Sequence, residues 1–216
     1  ALDTLLDREP TLSGPVVARA VARSCGEGAL LVAASSNPIR DLDLAAAALA
    51  DGVRVVANRG LAGIDGTVST ATGIAVATGE RVRLLTGDLA FLHDANALLT
   101  PSGEQRAGLQ IVVLNDGGGG IFSLLEYGEL AERSAADAAV FERLFGTPHA
   151  ADLAALCHGF GVPHRVVDTV EELESVLAQP DPGTSVVEVR ADRADLRRLH
   201  SAVRTAVHDA ARRVIA

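Results

Sequence analysis

Short apolar runs alternate with longer stretches of helical spacing along the chain. The runs at 29–35 (ALLVAAS), 53–58 (VRVVAN), 81–87 (RVRLLTG), 109–115 (LQIVVLN), 164–167 (HRVV) and 184–190 (TSVVEVR) read as strands. Apolar runs of that length, bounded by Gly, Asn or Pro, mark strands covered on both faces. Helices are expected between them. One follows the start signal Ser13-Gly14-Pro15 and runs to about Gly26, and a second is DLAAAALA, with Asp41 as its cap. A third, rich in small residues, spans Thr67 to Thr78, and a fourth opens at Asp88. A polar excursion from Glu126 to about Pro148 holds the helical AERSAADAAVFERLF. AADLAALCHGFG, 170–179 and a long terminal helix over 192–215 complete the pattern. Strands alternating with helices predict an α/β domain, a six-stranded parallel doubly wound sheet with helices on both faces. Residues 1–13 are polar and punctuated and read as a linker, leaving 14–216 as one domain.

Composition narrows the function classes. With aromatics at 3%, the core must be built from Ala, Val, Leu and Ile. All 19 basic residues are Arg, which excludes a Walker A lysine and Schiff-base chemistry on lysine. A net charge of −9 argues against nonspecific nucleic-acid binding. Cys25 and Cys157 form no metal or redox spacing and read as buried structural thiols. With no apolar run of membrane-spanning length and no signal-peptide pattern, a cytoplasmic protein without membrane insertion is expected. The absence of Met, even at position 1, suggests a fragment of a longer chain.

The unusual residues collect where strands end. Two apolar strands end in Asp88 and Asp116, the second followed by four glycines. Ligands of parallel α/β sheets bind outside the carboxyl ends of the strands, so both carboxylates should face one crevice. Asp88 either caps its helix or holds a cation that bridges to a phosphate. Paired with Asp116 and a glycine turn whose backbone can approach a ligand, the cation reading prevails.

Gly87-Asp88, followed after the intervening helix and strand by Asn115-Asp116 and glycine, resembles the metal-and-diphosphate motif of the thiamine diphosphate-dependent enzymes. SSNPIRD (35–41), ANRGLAGIDGTVSTATG (57–73) and NDGGGGIFSLLE (115–126) further resemble the branch of that family serving menaquinone biosynthesis. The likeness runs from about Val16 to the terminal helix. Two departures stand out: Leu89 where many members have Gly, and Asp116 where Asn is usual.

The resemblance implies Mg²⁺ (or Mn²⁺) ligated by Asp88, Asp116 and the Gly118 carbonyl, with thiamine diphosphate as cofactor. Gly87, Leu89, Ala90, Asn115, Ile64, Ile121 and Phe122 would contact the cofactor, Ile64 as the wedge between its rings. Thr67 and Ser69 would assist the diphosphate more weakly, and His93 is assigned no catalytic role. Ser36, Arg40, Arg59 and Leu125 would form the substrate site. The implied reaction decarboxylates 2-oxoglutarate and adds the succinyl carbanion to isochorismate, both anionic, so arginine forks suit them. The activating glutamate is expected on a pyrimidine-binding domain of a partner subunit, in a homodimer or homotetramer. The chain alone is therefore expected to be inactive, as the C-terminal diphosphate-binding domain of a transferase. The alternatives are a domain of an acetolactate-synthase-like carboligase and a noncatalytic nucleotide-binding domain. The latter would be marked by GxGxxG after the first strand, which is absent.

Overall fold

The computed structural model describes residues 2–9, 11–46, 49–61, 63–194 and 196–215. Six strands form one sheet: β1 (Leu30–Ala33), β2 (Arg54–Val56), β3 (Val82–Gly87), β4 (Leu109–Asn115), β5 (His164–Val167) and β6 (Thr184–Arg190). Their order is β2-β1-β3-β4-β6-β5, and every pairing is parallel. The chain steps outward from β1 to β2, then crosses back to β3. That reversal opens a crevice between the carboxyl ends of β1 and β3, where such sheets bind ligands.

Ten α-helices accompany the sheet among the described residues: α1 (Leu2–Leu6), α2 (Gly14–Arg23), α3 (Asn37–Ala45), α4 (Thr67–Thr78), α5 (Asp88–His93), α6 (Glu126–Ala131), α7 (Ala135–Phe141), α8 (Leu153–Gly159), α9 (Val170–Ala178) and α10 (Leu196–Ile215). Alternate strand residues feed two cores. Leu31, Leu85, Val112 and Val187 pack with α2, α3 and α9 on one face. Leu30, Leu84, Ile111 and Val186 pack with α4, α5 and α8 on the other. Both cores consist mostly of Ala, Val, Leu and Ile, as the low aromatic content requires. Among the described residues no helix is long and apolar enough to cross a membrane. Cys25 and Cys157 are free and buried, and burial pushes both thiols up, Cys157 to about 11.

Three local expectations change. The stretch 1–13, read as a linker, contains α1, whose Leu6 is buried against the core together with Leu12. Asp3 and Asp7 pair there with Arg19 of α2. Ala1 and Pro10 lie outside the described residues. The second helix starts earlier than expected, at Asn37, with Pro38 in its first turn. Asp41 is therefore an interior, buried helix residue rather than a cap. Ala47 and Ala48 of that expected helix also lie outside the described residues. Finally, the terminal helix begins at Leu196 rather than near 192.

Candidate functional site

A cavity of about 430 Å³ occupies the crevice at the strand ends. Its walls include Ser36, Arg40, Arg59, Ile64, Gly87, Asp88, Leu89, Ala90, Asp116, Gly118, Ile121 and Phe122. Twelve residues expected at the site thus converge from four separate stretches of chain. Asn115 and Leu125 do not line it. Asn115 turns its amide to Glu188, at 2.8 Å, and Leu125 is exposed at the start of α6. Thr67 and Ser69 are engaged elsewhere, Thr67 with the Ile64 carbonyl and Ser69 with Asp94.

Asp88 is 2% exposed, and both of its oxygens accept hydrogen bonds. Oδ1 accepts from the Leu89 amide at 2.6 Å. Oδ2 accepts from the Gly118 amide at 2.8 Å and from His149 Nε2 at 3.0 Å. The Ala151 amide donates to His149 Nδ1, which leaves the ring proton on Nε2, facing Asp88.

Asp116 lies close enough to Asp88 to feel its charge. Burial raises the Asp116 carboxyl to about 7, and the Asp88 charge adds to the rise. Arg193 and backbone amides offset only part of it. Behind this pair, burial and the Asp116 charge likewise raise Asp41 to about 7. Asn37 Oδ1 and Asp41 Oδ1 are buried without a hydrogen-bond partner among the described residues. His200 Nε2 stands 3.6 Å from Asp41 Oδ1, too far for a hydrogen bond.

The turn after β4 depends on glycine. Gly117 has φ +76° and Gly118 φ +147°, both strained for any residue with a side chain. A Cβ on Gly118 would also overlap the Gly146 carbonyl oxygen. That oxygen accepts from the Gly119 amide at 2.7 Å and from Arg193 Nη1 at 3.0 Å, while Arg193 Nη2 pairs with Glu142 at 2.6 Å. The segment from α7 to Gly146 therefore clamps the glycine turn. It ends in one π-helical turn, Glu142–Gly146, a local form frequent at functional sites. Phe145 stacks on Tyr127 and Phe141 and tilts against Phe122. With five Phe and one Tyr in the chain, four of six aromatics gather beside this turn. The excursion that breaks the α/β alternation is the scaffold of the site.

On the β1 side, Ser36 is one of two non-glycine residues with positive φ among the described residues, at +76°, a conformation retained where the surroundings enforce it. The Ser36 carbonyl accepts from Arg40 Nη1 at 2.6 Å, and Ser35 Oγ donates to the Asn58 carbonyl at 3.0 Å. The second bond ties the Ser36 turn to the loop carrying Arg59. Arg59 makes no ion pair among the described residues, which leaves a free guanidinium at the mouth of the crevice. His93 pairs with Asp65 on the exposed rim at 3.1 Å and has no place in the cavity.

The residues fit a divalent metal held jointly with a ligand. The buried Asp88 and the half-buried Asp116 line one cavity, and the Asp88 charge raises the Asp116 carboxyl, beside a glycine turn of the backbone. No group of three or more His, Cys, Asp or Glu among the described residues is arranged to hold a metal by itself. Mg²⁺ takes about six oxygens and commonly shares them between carboxylates and phosphates. The remaining oxygens would come from the turn's carbonyl, a diphosphate and water.

A doubly wound parallel sheet with paired carboxylates and a glycine turn at its switch point defines a cofactor-binding α/β domain. A family profile described as "Thiamine pyrophosphate enzyme, C-terminal TPP binding domain" matches residues 42–189, and the chain belongs to that family. It is 54% identical over 207 residues to the 2-succinyl-5-enolpyruvyl-6-hydroxy-3-cyclohexene-1-carboxylate synthase of Renibacterium salmoninarum, covering 96% of this chain and 36% of the relative. The synthase of the same name from Kineococcus radiotolerans is 54% identical over 213 residues, covering 96% and 37%. The chain thus spans little more than a third of the length of these relatives. Among solved structures, the thiamine diphosphate-dependent 4-hydroxybenzoylformate decarboxylase of Rhodococcus jostii RHA1 aligns with a TM-score of 0.63 at 18% identity, over 85% of this chain and 33% of that one. Benzoylformate decarboxylase from Polynucleobacter necessarius aligns with a TM-score of 0.64 at 18% identity, over 86% and 34%. At that identity the likeness concerns the fold alone.

His149, Glu188, His164 and Arg193 escaped the sequence reading. Glu188 had a signal: a carboxylate in the middle of an apolar strand must find partners. It accepts from Asn115 at 2.8 Å and from His164 at 2.9 Å, which fixes the residue preceding Asp116. His149 and Arg193 had none, because their partners are distant in sequence.

Proposed function

We propose that this domain binds the diphosphate end of thiamine diphosphate through Mg²⁺ or Mn²⁺. It would serve a carboligase that decarboxylates 2-oxoglutarate and adds the four-carbon remainder to isochorismate in menaquinone biosynthesis. The carrying observation is the convergence of Asp88, Asp116 and the Gly117–Gly118 turn on one crevice. When bound, the cofactor would supply a carbon nucleophile that adds to the oxo acid and a cationic ring that takes up the electron pair left when CO₂ departs.

The chain's own residues have separable tasks. Asp88 and Asp116, with the Gly118 carbonyl, hold the metal, and the metal's charge relieves their mutual repulsion. His149 and the Gly118 amide keep Asp88 in one orientation. Ile64 is anchored by the Thr67 hydroxyl bonding to its carbonyl, and presents an apolar wedge to the cavity. Ile121 and Phe122 complete the apolar wall and exclude water. Arg40, Arg59 and Ser36 bind substrate carboxylates at the mouth, where charge-assisted hydrogen bonds favour a dicarboxylate over a monocarboxylate.

No glutamate lines the crevice among the described residues. The group that activates the pyrimidine ring is therefore assigned to a pyrimidine-binding domain, contributed by a partner subunit of a homodimer or homotetramer. A reconstitution assay tests the substrate assignment. Joined to a pyrimidine-binding domain, the protein should consume 2-oxoglutarate with isochorismate and leave pyruvate untouched. Preference for pyruvate would point instead to an acetolactate-type carboligase. The 216-residue chain alone should turn over neither substrate.

A further inference from the structure

Behind the crevice, at the starts of α2, α3 and α10, three buried oxygen atoms share one small cavity without partners. Ser13 Oγ, Asn37 Oδ1 and Asp41 Oδ1 have no hydrogen-bond partner among the described residues. All three residues line a cavity of about 30 Å³, room for about one water-sized group. Ser13 stands at the N-cap of α2, yet its hydroxyl does not cap that helix. Asn37 and Asp41 lie one turn apart on α3, 8% and 1% exposed, and so share a face of the helix. A Cβ on Gly14 would overlap Asp41 Oδ2, so it is the glycine that lets this carboxylate reach the start of α2.

The ionised Asp41 lacks a full counter-charge. His200 is not hydrogen-bonded to it, and burial and the Arg204 charge lower the His200 pKa, which keeps that ring neutral. Arg40 offsets only part of the effect of burial and of Asp116, and the start of α2 supplies only a partial positive charge. The cavity lining is anionic in sum: Glu9, Asp41, Asp116 and Asp192 stand against Arg193 and Arg198, and Arg193 is paired with Glu142. A buried carboxylate is satisfied by a cation, or else by a proton. Water would fill the volume but bring no charge. Mg²⁺ and Ca²⁺ want six or more oxygens, more than the three unpartnered ones. We propose that this cavity binds a monovalent metal cation, Na⁺ or K⁺, ligated by Asp41 Oδ1, Asn37 Oδ1 and the Ser13 hydroxyl. Asp116 lines both this cavity and the crevice, so the ion would sit behind the crevice without depending on what the crevice holds.

The test is thermal unfolding of the 216-residue protein at about pH 8, where the Asp41 carboxyl is ionised, with EDTA present to remove divalent ions. At constant ionic strength, N-methylglucamine is replaced stepwise by K⁺ and separately by Na⁺. At least one of the two should raise the midpoint by several degrees along a saturable curve. Asp41→Asn keeps the shape and removes the charge, and it should abolish the curve. Ser13→Ala, which breaks no hydrogen bond within the protein, provides a second arm and should move the curve to several-fold higher cation concentration. Asp88→Asn should keep the curve. Absence of saturation with both ions, or an unchanged curve in Asp41→Asn or Ser13→Ala, would overturn the proposal. Loss of the curve in Asp88→Asn would put the ion in the crevice instead and overturn it equally.

Discussion

The Gly118 amide donates to Asp88 Oδ2 at 2.8 Å, joining the turn after β4 to the carboxylate after β3 across thirty residues of chain. Each strand end therefore helps to shape the other. The Gly118 amide fixes the Asp88 carboxylate, and Asp88 in turn holds the glycine backbone where its carbonyl can face a metal.

Gly118→Ala should break this arrangement. Its φ of +147° is open to glycine and strained for alanine, and the added methyl would meet the Gly146 carbonyl. A loss of about 2 kcal/mol or more is expected from strain combined with a backbone clash. Urea denaturation measures it, and cofactor affinity should fall in parallel. Gly117→Ala, strained at φ +76° but with open space around its Cβ, should cost less.

Glu188 should matter beyond stability. Removing it strands His164 and Asn115, and breaking a buried polar network at one partner costs on the order of 3 kcal/mol. Glu188→Gln keeps the size and one acceptor, so the fold should survive while Asn115 loses its fixed orientation. The expected readout is weaker metal-dependent cofactor binding with a thermal midpoint close to wild type. Unchanged affinity would separate Asn115 from the metal turn.

Asp41 sets a pH dependence whose sign follows from its raised pKa. Unfolded, the carboxyl titrates near 3.8; folded, near 7, so the native state favours the protonated form. Its contribution to stability is complete below the unfolded value and is lost as pH rises through the folded one. Unfolding free energy should decline between about pH 4 and pH 8 by an amount on the order of a few kcal/mol. Asp116, raised to the same value, contributes a decline of the same sign, so Asp41→Asn should reduce the slope by roughly half rather than abolish it, as measured by denaturant titrations across the range.

Arg59, which lines the crevice and makes no ion pair among the described residues, should act on substrate more than on fold. In the reconstituted enzyme, Arg59→Ala should raise KM for the anionic substrates roughly 10- to 100-fold, the worth of one or two charge-assisted hydrogen bonds. The thermal midpoint should stay near wild type. Steady-state kinetics with each substrate varied in turn would identify which one Arg59 holds.

The parts of the fold written locally were legible. β4, β5, β6 and α4 begin and end where apolar periodicity and flanking glycine or proline placed them. The crevice was legible for a topological reason, since residues at the carboxyl ends of parallel strands must meet. What the chain writes nonlocally was harder to read. The Ser36-Asn37-Pro38 start of α3 looked like loop because Ser36 reaches the helix through a positive φ. Asn115 was expected to contact the cofactor; its amide nitrogen donates to Glu188 on the neighbouring strand while its Oδ1 accepts from the Gly117 amide, a nonlocal pairing no spacing announces. The excursion at 126–148 reads in sequence only as polar and helical, although Phe141 and Phe145 carry the clamp on the glycine turn.

The central claim is that Asp88 and Asp116 hold a metal through which the diphosphate is bound. Calorimetric titration of thiamine diphosphate into the protein joined to its pyrimidine-binding domain, with Mg²⁺ and then with EDTA, tests it most directly. Binding should require Mg²⁺, release protons below about pH 7 as the Asp116 carboxyl ionises, and disappear in Asp88→Asn. Equal affinity in EDTA, or an Asp88→Asn variant that binds as tightly as wild type, would contradict the account.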